Sequence, residues 1–247
     1  MKKLMLAATA LVVLALGALP AVASATPQVS NFTNNNRHFT VASPLTGTTS
    51  EKHATLTKGG NAEVTCKESG SNPAVTGTGE FDETGQTGWI EFEFHNCEET
   101  TFGSACTTSG QSSGTIKTTT LPFHLKTATG DHTPAVLITS NGSDGTTTGG
   151  HFATFECLGG FIEIRVDGNG IIGEITSGYG ASSTFTVDFK TNPETGRQTP
   201  DEVDETPGTR YHLFSSINGG EPETATEDAT GTGTFTEGEP NLTTLEE

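Results

Sequence analysis

Basic residues are scarce in this 247-residue chain: 12 Lys and Arg stand against 30 Asp and Glu, a formal charge of −18. A nucleic-acid partner is excluded on this ground, because displacing phosphate counterions needs a basic surface. Docking on anionic lipid is disfavoured by the same deficit. Large aromatics other than Phe are few, with one Trp and two Tyr. Leu, Ile, Val and Phe together make up only about 18% of the chain beyond residue 25, close to the level at which a highly charged sequence fails to build a core. No apolar residues recur at helical spacing after residue 25, which argues against amphipathic helices. No second long apolar run follows the first, so no membrane insertion is expected once that first run is removed. The cysteines form no C-x-x-C pair, and a zinc centre is not supported.

The first run itself has a clear reading. Lys2 and Lys3 precede an uncharged apolar stretch from Leu4 to Leu19, Pro20 breaks it, and Ala21 to Ala25 offer small residues for cleavage. This is the pattern of a secretory signal over 1–25, cut after Ala25, and it places the mature protein outside the cell. An even number of cysteines (Cys66, Cys97, Cys106 and Cys157) then reads as two disulfides, with three pairings possible. Cys97 and Cys106 flank a short polar loop. The spacing therefore favours Cys97 with Cys106 as a local staple, leaving Cys66 with Cys157.

Thr, Gly and period-two alternation are abundant. Ile90, Phe92 and Phe94 alternate with Glu91, Glu93 and His95; Leu121, Phe123 and Leu125 share a face, as do Phe185, Val187 and Phe189. These are half-buried strands. Ile162 to Val166 and Ile171 to Ile175 flank Asp167-Gly168-Asn169-Gly170, the strongest hairpin signal in the chain. The fold expected is all-β: an antiparallel sandwich, or alternatively a β-barrel, stapled by disulfides. Apolar density sets the boundaries. Residues 26–53 read as a flexible Asn/Thr/Ser-rich lead and 54–190 as the β-domain core. Residues 191–247 read as an acidic, loosely packed Thr/Gly-rich region with one or two edge strands. Thr76-Gly-Thr-Gly-Glu-Phe81 resembles Thr230-Gly-Thr-Gly-Thr-Phe235, but one matched pair is not a repeat array.

Phe94-His-Asn-Cys97, Cys106, Gly114-Thr-Ile-Lys-Thr118, Phe152-Ala-Thr-Phe-Glu-Cys157, Gly170-Ile-Ile-Gly173 and Thr184-Phe-Thr-Val-Asp-Phe189 follow an order that resembles a family of uncharacterised secreted actinobacterial proteins. The resemblance implies secretion and disulfides. It carries no activity.

Chemistry-bearing patterns are sparse, and no catalytic residue is assigned. Gly110-Gln-Ser112-Ser-Gly114 matches a nucleophile elbow, but strand-like residues follow where a helix is required. Glu91 and Glu93, about 7 Å apart at strand rise, share a face with His95 and form an acid/base face if a cleft encloses them; the wet side of a half-buried strand is the favoured account of the same residues. Asp131 and His132 are adjacent in a Gly/Pro loop, where neighbours more often face solvent than form a dyad. Asp167, Asn169 and Glu174 suggest a calcium loop, although Ile171 stands where an oxygen ligand is needed. Trp89, Tyr179 and Tyr211 are the aromatics able to stack on sugar, Trp89 foremost. The expected function is that of a secreted, non-enzymatic extracellular or cell-surface protein, a binding or structural module whose ligand the sequence does not identify, with a cell-wall or extracellular polysaccharide as the candidate partner. The alternative is a secreted hydrolase acting on polysaccharide.

Overall fold

The structure is a computed structural model that describes residues 28–32, 38–43, 54–58, 62–69, 71–83, 85–140, 150–178, 180–181, 183–236 and 241–245. The expected secretory signal over 1–25 and the aromatic candidate Tyr179 lie outside them. The architecture is all-β and antiparallel, with one 3-10 turn at Leu158–Gly160 and no α-helix among the described residues. No helix there is long and apolar enough to cross a membrane.

Eight strands form the principal element: β1 (His38–Ala42), β2 (Val75–Phe81), β3 (Thr87–Phe94), β4 (Leu121–Thr127), β5 (Pro134–Ile138), β6 (Ile171–Ser177), β7 (Thr184–Asn192) and β8 (Ala229–Phe235). Each pairs antiparallel with the next in sequence, and β8 pairs with β1. The sheet therefore closes on itself as an eight-stranded up-and-down barrel, which leaves none of these eight as an open edge. The longer excursions between staves build smaller sheets. One is the four-stranded sheet of 150–157, 162–168, 213–217 and 223–225.

Closure corrects the sequence boundaries. β1 comes from the segment read as a flexible lead, and β8 comes from the acidic region and sits between β7 and β1 rather than at an edge. That acidic region is also not loose throughout. Val203 and Tyr211 are buried, and with Ala128, Ala135, Leu137 and Ile172 they form a second core on the outer face of β5 and β6. This explains why every residue of β5 is buried: its two faces are covered by different layers.

The expected hairpin across Asp167–Gly170 is also overturned. The strand before it pairs with 150–157 and 213–217, and the strand after it is β6 of the barrel. The turn passes the chain from one sheet to another. Asn169 fastens this corner: its amide donates to the Arg210 carbonyl (2.8 Å) and its carbonyl accepts from the His212 amide (3.0 Å).

The disulfides are Cys66–Cys97 and Cys106–Cys157, not the expected Cys97–Cys106 and Cys66–Cys157. Registers explain the exchange. The four cysteines lie in one row across neighbouring strands. The Cys106 amide donates to the Cys97 carbonyl (2.9 Å), so Cys97 and Cys106 face each other at a hydrogen-bonded position, where Cα atoms are held about 5.5 Å apart. Across the row the two position types alternate. Cys97 therefore meets Cys66, and Cys106 meets Cys157, at the close non-hydrogen-bonded positions, with Cα separations of 3.9 and 4.2 Å. Two such bonds fit an oxidising, extracellular environment.

Candidate functional site

The barrel is filled unevenly. At one end Phe39 packs against Phe81, Phe123, Phe185 and Phe235, with ring centroids 5.3 to 6.0 Å apart. The rings need room, and inward-facing glycines provide it. A Cβ on Gly79 would lie 2.3 Å from the Phe39 ring, and one on Gly233 would lie 2.2 Å from the Phe185 ring. The two matched Thr-Gly-Thr-Gly segments are thus β2 and β8, the staves flanking β1, and their glycines do the same job. Composition alone gave no sign of this, because the signal is a cross-strand pairing of Gly with Phe.

At the other end the barrel is hollow. The four-stranded sheet sets Phe152, Ala153, Val166 and Leu213 against that end, and together with the barrel lining they bound a cavity of about 70 Å³. A second space of about 40 Å³ reaches toward the Phe cluster. The two share Val41, Phe92, Ile138, Phe189 and Gly231 in their walls. The wall of the larger cavity is apolar except for Thr118, Thr230 and one carboxyl group, Glu227.

Glu227 enters just before β8. It is 9% exposed, its amide donates to Gln198 Oε1 (3.1 Å), and its Oε1 has no hydrogen-bond partner. Burial, with the neighbouring Asp228 carboxyl adding to it, pushes its pKa up to about 8. The group is therefore held neutral at pH 7, as expected of a carboxyl without a compensating charge in an apolar wall. Sequence reasoning missed it. It is one of many acids in an acidic segment, and only the tertiary fold turns it inward.

The residues singled out from sequence are dispersed. Trp89 is 38% exposed on the outer side of β3, whereas Tyr211 is buried, with its hydroxyl 3.0 Å from Thr206 Oγ1, and presents no stacking face. Glu91 is paired with Lys117 (2.8 Å). His95 lies 3.8 Å from Glu93, and its Nε2 is 2.9 Å from Thr76 Oγ1. Asp131 is not the partner of His132; Asp204 is, at 2.6 Å. The three calcium candidates have separate commitments: Asp167 to Arg165 (2.9 Å) and His151 (3.3 Å), Asn169 to the corner described above, and Glu174 to Lys190 (3.0 Å). Among the described residues no three His, Cys, Asp or Glu are grouped to hold a metal. The Gly110–Gly114 segment is a tight loop, closed by the Thr115 amide on the Ser112 carbonyl (3.0 Å).

One juxtaposition was not expected. Thr154 Oγ1 lies 3.1 Å from His151 Nε2, and His151 Nδ1 lies 3.3 Å from Asp167 Oδ1. A bulge between His151 and Ala153 brings His151 and Thr154 to one face, which regular alternation would not do.

No family, curated protein or solved structure matches this chain.

Proposed function

We propose that the mature chain is a secreted, non-enzymatic binding protein that holds a small, largely apolar ligand inside its β-barrel. The observation that carries this reading is the hollow end of the closed barrel, a cavity of about 70 Å³ with apolar walls. An eight-stranded barrel has an interior that side chains just fill or that one small ligand occupies. Here one end is filled and the other is not. The secretory leader and the resemblance to secreted actinobacterial proteins support an extracellular setting, and Trp89 remains the surface residue best suited to a polysaccharide contact.

The test uses xenon and benzene, probes that enter dry apolar cavities. Either should raise the melting temperature of the mature protein, and the rise should grow with the logarithm of its concentration once the site begins to fill. Ala153→Leu, which fills the cavity wall, should remove the effect. A melting temperature unchanged by both probes would overturn the reading.

The alternative of a secreted hydrolase draws on the Thr154–His151–Asp167 chain, the arrangement of a nucleophile, a base and an orienting acid. It suits an acyl ester, such as an acylated polysaccharide, better than a glycosidic bond. Ester hydrolysis by the purified protein, lost in both Thr154→Val and His151→Ala, would favour it over the binding reading.

A further inference from the structure

Three features of the hollow end bear on which ligand it takes, and they point the same way. The first is the carboxyl of Glu227: nine-tenths buried, in the wall of the cavity, with an oxygen that nothing in the protein satisfies. A buried polar atom without a partner costs free energy that a ligand can recover by supplying one. The second is the aromatic share of the same wall, which includes Phe92, Phe94, Phe152 and Phe189. Phenylalanine rings attract a cation through their quadrupole and offer a neutral hydroxyl no comparable gain. The third is the charge of the chain, −18, which concentrates cations around the protein and repels anions.

We infer that the cavity selects a small organic ammonium ion with an apolar substituent, its nitrogen donating to Glu227 and its positive charge lying among the phenylalanine rings. This inference rests on the binding reading above and adds to it the charge of the ligand. On binding, Glu227 gives up its proton to solvent and becomes the carboxylate partner of the ammonium. The site converts a neutral acid into a buried ion pair, and one proton is released per ligand bound. A charged pair in an apolar wall is worthwhile only if both members are hydrogen-bonded; the free Oε1 accepts from one ammonium N–H, and Thr118 and Thr230 are the other polar side chains in the wall.

The experiment compares n-butylammonium with 1-butanol, which have nearly the same shape, by titration calorimetry of the mature protein at pH 7 in two buffers of different ionisation enthalpy. The ammonium should bind on the order of tenfold more tightly than the alcohol, the difference between a charge-assisted and a neutral hydrogen bond. Its apparent enthalpy should change between buffers as required by proton release, and that of the alcohol should not. Glu227→Gln should abolish the preference while still binding the alcohol, which also shows that the variant is folded. Equal affinity for the two ligands, or an unchanged preference in Glu227→Gln, would overturn the inference and leave the binding reading intact. If neither ligand binds and xenon and benzene also fail, the binding reading falls and the inference falls with it.

Discussion

Glu227 is the residue on which most of the chemistry turns, and its burial has a consequence for stability. Its pKa rises from 4.5 in the unfolded chain to about 8 in the folded one. Below pH 4.5 both states hold the proton and the group is neutral to stability as pH varies. Between 4.5 and about 8 the folded state keeps a proton that the unfolded state has lost, so stability declines as pH rises, by at most about 1.4 kcal/mol per pH unit. Above that range the loss is complete. Glu227→Gln removes the dependence. In urea unfolding from pH 5 to pH 9 the variant should overtake the parent, and the gap should widen up to about pH 8. Parallel curves would contradict the assignment. The sequence around this residue shows only an acid among acids. Its inward turn depends on β8 being a barrel stave and on Gln198 fixing the backbone beside it.

Among the elements, β2 and β8 carry the clearest lesson. Their glycines weaken a strand taken alone, and in sequence the two segments read only as one matched Thr-Gly-Thr-Gly pair. In the barrel they face inward beneath Phe rings contributed by neighbouring staves. Gly79→Ala and Gly233→Ala should each cost about 1–3 kcal/mol, the range for forcing extra volume into a packed core. Gly231→Ala should cost clearly less, because its added Cβ meets only the Val41 side chain, at 3.0 Å, beside the cavity. Chemical denaturation of the three variants checks this order. A uniform effect would show that the rings can move aside. The strands Ile90–Phe94, Leu121–Leu125 and Phe185–Phe189 were legible because one wet and one dry face imposes strict alternation. The Asp167–Gly170 turn was misread for a related reason: turn residues mark a reversal of the chain but do not say which strands will pair on either side of it.

For the whole molecule, closure and crosslinking decide stability together. Each disulfide closes a loop of a few tens of residues (sequence separations 31 and 51), worth about 4 kcal/mol on the loop-entropy model. Non-reducing peptide mapping should recover Cys66 linked to Cys97 and Cys106 linked to Cys157. Reduction should lower the denaturation midpoint sharply. Because β1 and β8 seal the barrel, a fragment spanning only 54–190 should not fold cooperatively, whereas one that retains both staves should. A sharp unfolding transition for the short fragment would mean that the remaining six staves suffice as an open sheet.

The sequence by itself determined the charge, the strand-rich character and the faces of the strongest strands, because these depend on composition and on contacts two residues apart. It also determined that four cysteines would join as two pairs. Tertiary structure alone decided which cysteines meet, that β1 and β8 close the barrel, and that Glu227 faces an apolar cavity. Each of these depends on register between segments distant in the chain. A shift of one residue in register would have sent every one of those side chains to the opposite face.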